Sequence, residues 1–143
     1  MNRIHYSTQF TGACETSDYS DGAFKTSTVA PIGSIFAEAG EDTVSVADAG
    51  GAEIKSTMVF TGNGTFQQYG TITFEDSRDH NHFSTQGQGQ IEDSADGKQA
   101  SATLKIDRGE GRFRDASGLI ASDFSVDENG QVIDNQIGAV RLA

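Results

Sequence analysis

Tryptophan is absent from the chain, and proline and cysteine occur once each. A single cysteine, Cys14, excludes an internal disulfide and fits a reducing compartment. Cationic side chains are scarce: 10 Lys and Arg stand against 21 Asp and Glu, for a net charge of −11. That balance predicts repulsion from nucleic acid and from anionic membranes, since backbone binding needs clustered Lys and Arg. No apolar run approaches the ~18 residues of a membrane span. Met1–Tyr6 reads as a strand start without the apolar core of about 7–15 residues that marks a signal peptide. The expected location is therefore cytoplasmic. Also missing are a sustained apolar pattern of helical period, an internal repeat and a linker, so residues 1–143 read as one domain.

The chemical signatures that are missing narrow the function. There is no Gly-x-Ser-x-Gly elbow, and Cys14 lies in a polar segment without an evident histidine partner. Gly109-x-Gly111 carries Glu110 at its centre and is followed by no helical pattern, which excludes a phosphate loop. Hydrolase, kinase and dehydrogenase chemistry all lose support. His80-Asn81-His82 puts two imidazoles on one strand face, but Glu92 is too distant and His5 is the only other histidine. The segment reads as a polar hairpin tip; no metal and no cofactor are expected.

What the chain does have is strand rhythm. With 17 glycines and many Thr, Ser and Gln, the composition suits a turn-rich β protein. Ile4–Phe10 alternates, with Ile4, Tyr6, Thr8 and Phe10 on one face; Gly12–Gly22 reads as irregular. Ala23–Phe36 carries a strand that continues past Pro31, which marks an edge, a bulge or a break, and Val44 with Val46 a short one. Further strands are predicted over Ile54–Phe60, Thr65–Glu75, Phe83–Ile91, Ala100–Ile106, Leu119–Val126 and Val132–Leu142. Turns fall at Gly62-Asn63-Gly64, Ser77–Asn81, Asp96-Gly97 and Asn129-Gly130. Asn63-Gly64-Thr65 also matches a glycosylation sequon, but reads as a hairpin turn. About eight or nine strands at hairpin spacing imply an antiparallel barrel or sandwich.

The stretch Arg108–Gly118 decides between the two. It follows the clean alternation of Ala100, Ala102, Leu104 and Ile106 and holds one large apolar group, Phe113, between Gly109, Gly111 and Gly118. A glycine-bracketed corner with an aromatic plug suits a strongly curved or closed sheet. Gly-x-Gly-x-Phe-x-x-Ala-x-Gly, here Gly109, Gly111, Phe113, Ala116 and Gly118, resembles the corner motif of allene oxide cyclases, plant dirigent proteins and related small bacterial barrels. A looser likeness runs through Gly70–Ala143. The resemblance implies an all-β, single antiparallel eight-stranded β-barrel with an apolar central cavity. It also implies a homo-oligomer, trimer or dimer, and a small hydrophobic metabolite as partner.

Within such a barrel the polar residues on apolar faces are the informative ones. Phe66, Phe74 and Phe83 would line the cavity, either enclosing a ligand or simply filling the core. Tyr6 shares a face with Ile4 and Phe10 and would donate to a carbonyl or act as an acid; otherwise it is a core tyrosine reaching a rim. Gln68, between Phe66 and Ile72, is a candidate ligand anchor. Asp123 becomes a desolvated general base if the face of Leu119 and Ala121 points inward, and is inert if Ile120, Phe124 and Val126 do. Asn135 and Arg141 share a face with Ile133, Ile137 and Ala139; Arg141 would orient an acidic group or cover surface as a snorkelling residue. The expected function is a cofactor-independent isomerase, cyclase or lyase acting on a hydrophobic metabolite, with Tyr6, Asp123 and Arg141 catalytic and Gln68, Phe66, Phe74, Phe83 and Asn135 binding. A non-catalytic binding or steering barrel is the alternative, and a filled barrel acting in assembly a third.

Overall fold

A computed structural model of the chain describes residues 3–15, 23–30, 52–74 and 81–143. These form eight strands: β1 (Arg3–Glu15), β2 (Ala23–Ala30), β3 (Ala52–Gly62), β4 (Thr65–Phe74), β5 (Asn81–Ser94), β6 (Gly97–Glu110), β7 (Ser117–Asp127) and β8 (Gln131–Arg141). Each pairs antiparallel with its sequence neighbour, and β8 returns to β1, giving a closed barrel. The closing pair is extensive, running from Arg3 opposite Arg141 to Ala13 opposite Gln131. Closure gives every strand a neighbour on both sides, the β1–β2 ladder being the shortest, Thr11–Glu15 against Lys25–Val29.

The barrel expected from the sequence is thus present, with one local difference. β1 continues through Glu15, where the sequence suggests irregular chain from Gly12 onward. The described part of β2 is Ala23–Ala30; the strand continuation past Pro31, the strand around Val44 and Val46, and all of the Ser77–Asn81 turn except Asn81, which opens β5, lie outside the described residues.

The core occupies the barrel interior. Alternation along each strand turns Phe10, Phe66, Ile72, Phe83, Leu104 and Ile120 inward, all essentially removed from solvent. The Phe66 and Phe124 rings meet edge to face, with centroids 6.0 Å apart. At one end, the chain leaves β6 through a 3₁₀ turn, Gly111–Phe113, and Phe113 plugs the core against Phe83 at 5.0 Å and 69°. This corner needs its glycines for two separate reasons. Gly111 has φ of 64°, the left-handed region. A Cβ on Gly109 would collide with the backbone carbonyl of Phe113, which folds directly onto it. Just before the corner the β5–β6 register shifts, Ser84 facing Arg108 and Thr85 facing Ile106. Asp107 is the extra residue, so Asp107 and Arg108 are both exposed and the alternation is reset for the turn.

At the opposite end, the β7–β8 hairpin is built around Asp127. Its Oδ1 accepts from the backbone N–H of Asn129 (2.9 Å) and of Gln131 (2.8 Å), and its carbonyl accepts from Gly130 (3.0 Å). Gly130 takes φ of 79° there, as the Asn-Gly signal predicts. Asp127→Ala is expected to cost about 1 kcal/mol, with a fall in melting temperature of roughly 3–5 °C by calorimetry. An unchanged melting temperature would show that solvent replaces both bonds.

Candidate functional site

Strand alternation sorts the candidate residues into those inside and those outside the ring. Tyr6, Gln68, Phe66 and Phe83 lie inside, as the sequence predicts. Phe74 ends β4, opposite Asn81 and Ala52, and its side chain is outside the described residues. Three others turn outward: Asp123, Asn135 and Arg141 are exposed on β7 and β8 and do not line the interior. Asp123 and Asn135 are register partners on the wall of an open outer depression of about 760 Å³, which crosses β5–β8 and β1. Asn135 Oδ1 accepts there from Gln9 Nε2 at 3.1 Å.

β8 is the strand that reverses the expectation. Its outward face carries Ile133 and Ile137, 41% and 66% exposed, while its inward face carries Val132, Asp134, Gln136, Gly138 and Val140. Apolar patterning favours the outer row as the core row, and the two polar residues that matter sit on the inner one.

Asp134 is the one buried charged side chain among the described residues. In the ladder it stands between Phe10 of β1 and Phe124 of β7. Its oxygens are held separately: Oδ1 accepts from Ser122 Oγ at 2.7 Å and Oδ2 from Gln136 Nε2 at 2.9 Å. The Gln136 amide carbonyl in turn accepts from the Tyr6 hydroxyl at 3.3 Å. The result is a chain of four buried groups, phenol–amide–carboxyl–hydroxyl, from three adjoining strands. Sequence reasoning missed three of the four. Available signals were the frame of Val132 and Val140 around Asp134 and Gln136, and a glycine, Gly138, opposite Tyr6. A Cβ on Gly138 would collide with the Tyr6 ring, which lies over that backbone. The same arrangement recurs across the barrel, where the Phe66 ring covers Gly89, its register partner.

Electrostatics follow from this burial. Desolvation raises the pKa of Asp134; hydrogen bonds from Ser122 and Gln136 oppose that rise, and the charge of Asp123 adds to it. Burial first, and the neighbouring Asp134 charge second, push the Tyr6 phenol far above its ordinary value. Tyr6 is thus a neutral hydrogen-bond donor at any physiological pH. Asp134 is a carboxyl whose environment favours keeping a proton, the property needed of a general acid.

The rest of the interior is more polar than the phenylalanine count suggests. Thr8, Thr26, Thr28, Ser56, Gln68 and Thr85 are all buried. Gln68 Nε2 donates to Ser56 Oγ at 3.3 Å, and Gln68 Oε1 has no partner among the described residues. Of the metal candidates, His82 Nε2 lies 3.7 Å from Glu110 Oε2 at the surface, and His80 is outside the described residues. No group of three or more metal-ligating side chains occurs among the described residues. No described helix is long and apolar enough to cross a membrane.

Neither a family model, a curated protein nor a solved structure matches the chain.

Proposed function

We propose that the protein is a cofactor-independent proton-transfer enzyme, an isomerase, cyclase or lyase, acting on a small, largely apolar metabolite held inside the barrel. The observation that carries this reading is Asp134: a lone buried carboxyl, flanked by two phenylalanines and fixed through both oxygens. Groups of this kind are expensive in a purely structural core and common where proton transfer is the task. Asp134 replaces Asp123 as the proton carrier. Ser122 and Gln136 hold its plane, while each carboxyl oxygen keeps lone-pair capacity for a substrate proton. Tyr6 donates to Gln136 over a long 3.3 Å, so its hydroxyl can turn to a substrate carbonyl at little cost. The apolar walls fix one conformer and exclude water, which strengthens both interactions.

The corner motif's resemblance to allene oxide cyclases and dirigent proteins supports an apolar cavity and, with it, a homo-oligomer. A cytoplasmic location goes with this reading, supported by the single cysteine. A non-catalytic binding barrel is the second reading, favoured by the buried threonines, which offer hydrogen bonds and no titrating group.

Native mass spectrometry of the purified protein, followed by denaturing extraction, tests the shared premise. A co-purified apolar metabolite is expected, and its structure would define the substrate class. A protein that carries nothing, and whose melting temperature is unmoved by polyketide, terpenoid and aromatic ligands, would be a filled barrel and would end both readings.

A further inference from the structure

Gln68 sits on β4, and β4 and β8 are four strands apart either way around the ring, so it stands across the barrel from Asp134. It is 1% exposed, and its amide is half satisfied: Nε2 has Ser56, and Oε1 has no partner among the described residues. No donor among the described residues bonds Oε1. Phe66 is the inward neighbour on one side along the strand, Met58 pairs with it from β3, and Gly87 pairs with it from β5. Gly87 also leaves the flank of the amide without a side chain. A carbonyl oxygen removed from water beside phenylalanine and methionine, with no donor, is unfavourable, and native proteins keep few such atoms.

We infer that Gln68 Oε1 is the acceptor for a hydroxyl group on the ligand, and that the barrel selects alcohols or phenols with an apolar body over the corresponding ethers. The inference rests on the interior-site reading above and adds a substrate class to it. A hydroxyl fits where an ammonium does not, because a cation beside Phe66 and Met58 would be desolvated with no counter-charge on that wall. A molecule anchored through its hydroxyl at Gln68 directs its opposite end toward Asp134 and Tyr6. The orphan carbonyl and the carboxyl would then hold the two ends of one substrate.

The test uses two probes with the same body, p-cresol and 4-methylanisole, in which a methyl group caps the oxygen. Binding is measured by calorimetry, and location by NMR of the Met58 and Ile72 methyl groups. In the wild-type protein p-cresol is expected to bind about ten-fold more tightly, with both methyl signals shifting. In Gln68→Met, which keeps length but removes the acceptor, the ratio is expected to fall near one without any loss of melting temperature. Gln68→Glu keeps a carbonyl acceptor and should keep the preference. Equal affinities in the wild type, or a preference unchanged in Gln68→Met, would overturn the inference while leaving an interior site standing. Probes that move neither methyl signal would remove the interior site itself, and the inference with it.

Discussion

Phe113→Ala is expected to lower the unfolding free energy by about 3–5 kcal/mol. Phe113 is 1% exposed, and its ring meets Phe83 edge to face at 5.0 Å. The cost should fall in the upper part of that range because the corner cannot collapse into the space left behind. Gly109 already lies against the Phe113 carbonyl, and Gly111 is committed to its left-handed turn, so the backbone has no slack with which to fill a void. Urea unfolding followed by circular dichroism should show a lower midpoint at an unchanged m value. A loss below ~0.5 kcal/mol would mean that the ring covers the end of the core without sealing it.

Asp134→Asn is expected to reduce turnover of the bound metabolite by about 10²–10⁴-fold while leaving binding intact. The substitution is isosteric, and the network can re-form around it. If the Gln136 amide turns over, its oxygen accepts from the new carboxamide and its nitrogen donates to the Tyr6 hydroxyl. Stability should then move in the opposite direction to activity. The folded pKa of Asp134 is raised above the ordinary 3.8, so between that value and the folded one the native state binds more protons than the unfolded chain. The stability contributed by the protonated carboxyl is complete below the unfolded value and is lost as pH rises through the folded one. Asp134→Asn has no such loss. Above that window it should exceed the wild type by on the order of 1 kcal/mol. Denaturation midpoints measured from about pH 4 to pH 9 would show the wild-type curve falling away from the variant's. Asp123→Asn, on the outer wall, should leave turnover within twofold of wild type, roughly the scatter of a surface substitution. Turnover retained in Asp134→Asn would favour the non-catalytic binding barrel.

Much of the architecture is legible in the sequence because it rests on local signals. Asn63, Gly64 and Gly130 have the positive φ that tight hairpins require. Alternation through Ala100–Ile106 marks the inward row of β6, whereas on β7 the sequence leaves both faces open, and the inward row is Ile120, Phe124 and Val126, with the expected catalytic Asp123 outside. Phe113 acts as the plug that the corner motif suggests. The site is less legible because it depends on a strand whose two faces are nearly equal in apolarity. On β8 the isoleucines are outside and the carboxyl inside, so a rule that places the apolar face in the core selects Asn135 and Arg141 in place of Asp134 and Gln136. What would resolve the ambiguity is long-range: Gly138 must face the Tyr6 ring, and that pairing joins the first and last strands.

That pairing bears on how the protein folds as well as on what it can do. The Tyr6–Gln136 bond links residues 130 positions apart, whereas the other ladders join consecutive strands through their own turns. Consecutive strands can pair in any order, most of them over a short connection, but β1 and β8 meet only across the whole chain, at the largest loop-closure entropy in the molecule. Ser122, Asp134 and Gln136 can come together within the β7–β8 hairpin; the phenol joins them only when the ring shuts. Assembly of the site is in this way tied to the last topological step of folding. A chain trapped as an open sheet would keep the Asp134 carboxyl but leave it hydrated, without the burial that raises its pKa, so only the closed barrel would have a poised acid.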